Sequence, residues 1–267
     1  MKVGLATIAL RKFDVSQAID FAAEAGFQGV EIWGRAPHTP DEFDEEHTMR
    51  IRDRVRGHGM KVCMFGSYVN PSLPDYAQKS EDALKIAKIL GAKRIRIWAG
   101  NKEPHDADEE LWPLVANALR EYALLAEDEG IRLAIEMHGG TLCATAEGCA
   151  RVLEMADAPN LKLNYQVFSP AEPDVDRVIG MLGDHVISVH AQNHRPSKLE
   201  PDKWELCLIE EGNVDYDHVL SLLAHHGFKG FVEVEFLKGE AVGGDAMIES
   251  MKRDAAYLRE MTAKYTA

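Results

Sequence analysis

The sequence predicts a single closed (β/α)8 barrel over residues 1–267, and three observations carry that reading. Eight short apolar runs with strand character alternate with helical patterns from one end to the other. A chain of 267 residues is long enough for such a barrel as one domain. No linker rich in proline, glycine or serine divides it. An open doubly wound sheet is the nearest competitor. It usually has fewer strands, and no GxGxxG turn follows the first strand here.

Strands are expected near 2–7, 29–33, 61–65, 94–98, 131–137, 161–166, 186–190 and 231–236. After the first comes "DVSQAIDFAAEAG", which has the marks of a helix. Asp14 is its N-cap with Gln17 three residues on, Val15, Ala18, Ile19 and Ala22 share a face, and Gly26 stops it. "SEDALKIAKILG" repeats the form, with Ala83, Ile86, Ala87 and Leu90 turned inward and Gly91 at the end. "DYDHVLSLLAHHG" repeats it again before Gly227. The last helix, roughly 244–263, carries Met247, Met251, Ala255 and Leu258 on one stripe. "GFQGVE" at 26–31 and "GFKGFVE" at 227–233 each lead from a helix stop into a strand, an internal echo of repeated βα units. The longest irregular stretch, about 191–213, follows the seventh strand and suits a lid or wall over the barrel mouth.

Bulk composition narrows the function. With 46% hydrophobic residues the chain buries a large core. A net charge of -14 repels nucleic acid and anionic membranes alike, which favours a small-molecule substrate. Cys63, Cys143, Cys149 and Cys207 lie far apart with no CxxC pair, as expected of reduced thiols in the cytosol. The N-terminal apolar run is too short for a signal peptide, and nothing approaches 18 apolar residues in a row, so a cytoplasmic location is expected.

Alternation along the later strands sorts their side chains by face. Leu133, Ile135 and Met137 face the helices, leaving Glu136 and His138 inward. Leu161, Leu163 and Tyr165 leave Asn164 and Gln166; Ile187 and Val189 leave His190 and Gln192; Val232, Val234 and Phe236 leave Glu233 and Glu235. Four consecutive strands thus aim Glu136, Gln166, His190 and Glu235 at one mouth. Buried carboxylates need a partner. A divalent cation is one, and oxygen ligands with a single imidazole suit manganese, magnesium or cobalt, with zinc admissible. An internal ion-pair network with Arg94 and Arg96 on the fourth strand is the other.

Across nearly its whole length the chain resembles the xylose isomerase-like TIM barrel superfamily of sugar isomerases and epimerases. "GFQGVEIWG", "AIEMHGG", "ISVHAQN" and "GNVDYDHVLSLLAHHGFKGFVEVE" carry the resemblance. It implies a metal set of Glu, Asp, His and Glu from strands five to eight, which falls on Glu136, Gln166, His190 and Glu235. Gln166 departs from that pattern, as does "HAQN" where "HxKD" is common. The activity implied is a divalent-metal-dependent isomerase or epimerase of a ketose or related keto-sugar. Glu136 and Glu235 would be its acid and base, working through a metal-stabilised enediolate. A homo-oligomer is implied by analogy alone.

Around this pair, His138 suits a substrate oxygen or a partner for a carboxylate, and Gln192 a substrate contact. Arg195 suits a substrate hydroxyl or carboxylate, or plain solvent exposure. Trp33 and Trp98 suit apolar walls for a sugar face or barrel filling. Glu31 suits a polar wall or a structural ion pair. For Gln166, metal ligation through its side-chain oxygen competes with contact to substrate alone. The nearest rival activity is a dehydratase of a keto-sugar or keto-inositol, since the same enolate expels a beta-hydroxyl. An abasic-site endonuclease would need further ligands near Ser67, Ala99 and Ser169, and the charge disfavours it. A non-catalytic sugar-binding barrel is the last alternative.

Overall fold

Asp14 Oδ1 accepts from the Gln17 amide at 2.9 Å while Gln17 Oε1 accepts from the Asp14 amide at 3.2 Å. Helix α1 (Val15–Glu24) therefore starts on the capping box that its sequence carries. The computed structural model describes residues 1–265 except 170, 172, 201 and 239–243. Its barrel strands are β1 (Lys2–Ala6), β2 (Gly29–Trp33), β3 (Lys61–Gly66), β4 (Arg94–Ile97), β5 (Arg132–Glu136), β6 (Leu161–Tyr165), β7 (Val186–Ala191) and β10 (Phe231–Val234). Between and after them run α2 (Glu45–Gly57), α3 (Tyr76–Leu90), α4 (Leu111–Asp128), α5 (Ala146–Ala156), α6 (Val175–Leu182), α7 (Tyr216–His225) and α8 (Gly244–Ala263). All neighbouring barrel strands are parallel, and the pairing from Lys2↔Phe231 to Leu5↔Val234 closes the ring. This is the (β/α)8 barrel that the alternation predicts.

The outward-facing Leu133, Ile135, Leu161, Leu163, Val189, Val232 and Val234 join helix residues such as Leu119, Val152 and Val219 in one continuous buried cluster. Each such side chain contributes about 1.5–3 kcal/mol by leaving water. No described helix is long and apolar enough to cross a membrane.

Four features differ from the sequence reading. Ile187, read as facing the helices, falls at the register shift between β6 and β7 and packs with Cys63, Met64, Ala134 and Phe231 instead. The stretch 191–213 is not irregular: β8 (Asn193–Pro196) and β9 (Trp204–Cys207) pair antiparallel, from Asn193↔Cys207 to Pro196↔Trp204. Helix α3 begins at Tyr76, ahead of Ser80, because Ser80 Oγ donates back to the Tyr76 carbonyl at 2.7 Å inside the helix instead of capping it. Phe236 does not face the helices. It lies past the end of β10, where strand alternation no longer applies, and lines the cleft at the barrel mouth.

Candidate metal and acid–base site

His190, on the fully buried strand β7, has carboxylates on both sides of its ring. Nε2 lies 2.7 Å from Glu31 Oε2 on β2, across the barrel. Nδ1 lies 3.4 Å from Glu136 Oε1 and 3.3 Å from Glu235 Oε1. These two contacts fall within ion-pairing range but outside hydrogen-bond geometry, so Nδ1 has no hydrogen-bond partner. Gly66 makes room for this arrangement, because a Cβ there would overlap the Glu31 carboxylate.

Arg96, buried at the end of β4, pairs through Nη1 with Glu136 Oε2 at 2.9 Å and approaches Glu31 Oε1 at 3.8 Å. Of the ion-pair network expected of Arg94 and Arg96, the Arg96 part is present alongside the candidate metal set, whereas Arg94 Nη1 donates to the Cys63 carbonyl at 3.4 Å. Burial alone would raise the Glu136 carboxyl, but Arg96 and His190 outweigh it and hold it at about 2. Burial likewise opposes charge on His190, yet Glu235 and Glu31 raise the imidazole well above its usual range.

Gln166 stands one residue beyond β6. Its Nε2 donates to the Met137 carbonyl at 2.7 Å, which fixes the amide and leaves Oε1 facing Gln192 Nε2 at 3.4 Å. Gln192 Nε2 also donates to Glu235 Oε2 at 3.1 Å. The backbone of Gln192 is clamped in turn by the Tyr216 hydroxyl, which accepts from its amide and donates to its carbonyl, both at 3.0 Å.

Two groups of potential ligands share His190 among the described residues: Glu136, His190 and Glu235, and Glu31, His190 and Glu233. The first fits a divalent cation better. Its Nδ1 lacks a hydrogen-bond partner, and Glu136 and Glu235 open onto a cleft of about 290 Å³. In the second group Glu233 accepts from Ser188 Oγ at 2.9 Å. Its carboxyl is pushed up to about 7 by burial and by Glu31, against His190, Ser188 and Arg94. Glu31 instead orients the imidazole so that Nδ1 faces the cleft group, an outer carboxylate of the kind that fixes metal-binding histidines. Among the described residues these are the two groups of His, Cys, Asp or Glu side chains close enough to hold an ion, whereas an abasic-site nuclease would need further ligands.

The cleft lining brings together Glu136, His138, Gln166, Gln192, Glu235 and Trp98 from the sequence reading. Trp98 packs edge-on against His138, with ring centroids 4.7 Å apart. Four candidates lie outside that lining. His190 is fully buried among Glu31, Glu136 and Glu235. Glu31 is buried against His190 and Arg96. Trp33 donates its indole N–H to the Tyr68 hydroxyl at 2.7 Å. Arg195, on the β8–β9 hairpin, is held by Glu205 at 2.9 Å and Glu211 at 2.8 Å. Sequence reasoning missed Tyr68, Phe168 and Phe236, all of which line the cleft beside Arg96. All three sit just past strand ends, where "GSYVN", "YQVFS" and "EVEFL" have left the alternation that guided the reading.

The sequence model of the family described as "Xylose isomerase-like TIM barrel" matches residues 19–261. The chain is 28% identical over 184 residues to a 3-dehydroshikimate dehydratase of Bacillus anthracis, covering 67% of this chain and 66% of that one, just short of two thirds of its length. It is 24% identical over 271 residues to an inosose dehydratase of Salmonella typhimurium, 88% of each chain. Among solved structures, a xylose isomerase-like TIM barrel protein from Mycobacterium smegmatis in complex with magnesium has the same fold. The TM-score is 0.79 at 14% identity, over 100% of this chain and 98% of that one. Sugar 3-epimerases share the fold too.

Proposed function

Because the chain belongs to the xylose isomerase-like TIM barrel family, we propose that it is a metal-dependent dehydratase acting on a cyclic polyhydroxy ketone. The observation that carries this reading is the pair of carboxylates, Glu136 Oε1 and Glu235 Oε1, that flank His190 Nδ1 at 3.4 and 3.3 Å beside an open cleft. Two carboxylates about one imidazole suit proton removal next to a ketone, and the names of the relatives favour loss of water over change of configuration.

Glu136, Glu235, His190 through Nδ1 and Gln166 through Oε1 would hold the ion, whose charge, when bound, offsets negative charge building on a carbonyl oxygen. One glutamate takes the proton alpha to the carbonyl. The electron pair of that C–H bond forms a carbon–carbon double bond as the beta C–O bond breaks. The departing hydroxyl takes a proton from the second glutamate and leaves as water. Gln192 holds Glu235 in place through Nε2, and Trp98, Tyr68, Phe168 and Phe236 supply apolar walls that limit bulk water. Epimerisation shares the removal of the alpha proton and differs in that a proton returns to the opposite face of the carbon with no C–O bond broken.

The test uses metal-loaded protein with inosose and with 3-dehydroshikimate in deuterated water. Growth of conjugated-product absorbance supports the dehydratase. Deuterium uptake with every hydroxyl retained would instead favour the epimerase. Glu136→Gln and Glu235→Gln should each lower turnover at least ~10²-fold; near-full activity in both would sink the acid–base assignment.

A further inference from the structure

The cleft above Glu136 and Glu235 has a neighbour. A second cavity of about 490 Å³ lies between the β2–α2 and β3–α3 connections and helix α3, and Tyr68 and Trp98 belong to the lining of both. The two rings stack, with centroids 5.8 Å apart and planes at 22°. On Tyr68 lies the guanidinium of Arg35, its Cζ 3.6 Å from the ring centroid. A guanidinium held flat on an aromatic face keeps its donor edge free, and that edge matches the two oxygens of a carboxylate.

Arg35 stands on a fixed backbone. Its carbonyl accepts from the His38 and Thr39 amides, both at 2.9 Å. His38 is buried, with Nδ1 2.9 Å from Thr7 Oγ1 and Nε2 3.1 Å from the Phe13 carbonyl. Thr39 Oγ1 donates to the Trp33 carbonyl at 2.8 Å. The arginine therefore needs little ordering before it binds.

Lys79, in the same cavity, donates to the Asp41 carbonyl at 2.9 Å, and cations nearer the mouth are paired with carboxylates. Arg96 pairs with Glu136, Arg195 with Glu205 and Glu211, Lys238 with Glu211, and Arg177 with Glu147 and Asp174. Arg35 has no carboxylate partner among the described residues, in a chain of net charge -14. Asp41, Asp75 and Asp82 line the same cavity, yet none is in ion-pairing range of it. Their presence disfavours a dianion and leaves a single carboxylate as the better guest.

We propose that Arg35 is a specificity-determining residue that binds a carboxylate on the substrate, so that the cyclic ketone consumed is an acid. Tyr68 joins the two cavities. Arg35 Cζ and Arg96 Cζ lie 3.6 and 5.2 Å from its ring centroid, and Arg96 Nη1 is 2.9 Å from Glu136 Oε2, so a ligand that reaches from Glu136 past Tyr68 meets Arg35. The proposal rests on the cleft being the reaction site, and it adds the charge of the substrate to that reading.

The test measures binding of the acidic ketone, 3-dehydroshikimate, and the neutral one, inosose, to metal-loaded protein by calorimetry, with cyclohexanecarboxylate as a non-reacting probe. The wild type should prefer the acidic ketone by ~10-fold or more, Arg35→Met should bring the preference within about 3-fold, and Arg35→Lys should keep part of it. A wild type that favours the neutral ketone, or an Arg35→Met variant that keeps the full preference, overturns the proposal. If neither ketone binds but cyclohexanecarboxylate binds the wild type and not Arg35→Met, the carboxylate site stands and the dehydratase reading fails. If that probe does not bind either, the carboxylate site is refuted.

Discussion

Replacing Arg96 with methionine removes one guanidinium from a buried cluster and leaves Glu136 without its nearest cation. Arg96 and Glu136 are 2% and 1% exposed and lie 2.9 Å apart, so water does not screen the pair. Arg96 is the largest influence opposing the effect of burial on Glu136, whose carboxyl sits at about 2 against an ordinary 4.5. A folded-state value below the unfolded one stabilises the protein above pH 4.5, and that stability is lost as pH falls through about 2. The difference corresponds to about 3 kcal/mol at neutral pH. It agrees with the ~3–5 kcal/mol typical of breaking a buried pair by removing one partner. Urea unfolding of metal-free protein at pH 7 should therefore show Arg96→Met weaker by about 3 kcal/mol or more. Between pH 4.5 and 2 the wild type should lose this increment while the variant does not. Equal midpoints at pH 7, with parallel profiles down to pH 2, would refute the view that Arg96 is what keeps Glu136 charged.

Glu31→Gln keeps the shape around His190 but removes the charge that orients it, and should weaken binding of manganese by ~10–100-fold in a metal titration; unchanged affinity argues against that orienting role. Gln166→Asp should tighten metal binding while lowering turnover, and Gln166→Ala should weaken metal binding; an alanine variant with wild-type affinity excludes direct ligation. Far from the cleft, buried Asp254 accepts from the Ile209 amide at 2.8 Å, and burial pushes its carboxyl up to about 7. Its folded value lies above the unfolded one, so its contribution is full below about pH 4 and is lost as pH rises through 7. Asp254→Asn should remove a decline of up to about 4 kcal/mol, read as a flatter stability curve between pH 4 and 8.

The barrel was legible because each strand alternates apolar and inward residues and each helix carries its own stop. The same alternation found Glu136, His190 and Glu235, which converge on one imidazole nitrogen. It did not show what Glu31 does. Parity gives the face of a residue but not its partner across a closed ring, and Glu31 meets His190 from a strand 159 residues away. Nor did it show Arg35 or Tyr68, which belong to loops where no period operates. The β8–β9 hairpin escaped because its strands are four residues each, and their charged and polar residues resemble a loop.

Gln166 gains its meaning from the same neighbours. Where the resemblance leads one to expect an aspartate, the amide spends its N–H on the Met137 carbonyl and keeps its oxygen toward Gln192 Nε2, in the lining of the cleft. A carboxylate in that place could not donate to a carbonyl, so the side chain would lose this anchor as it gained charge. Arg96 works in the same direction, since it already neutralises part of Glu136. Both residues lower the negative charge around the imidazole nitrogen that faces Glu136 and Glu235. A cation bound there would be held by fewer charges and would keep more of its own for a substrate oxygen. Weak metal retention and strong polarisation of a ketone would thus be two consequences of one electrostatic arrangement. The Gln166→Asp variant should change both together.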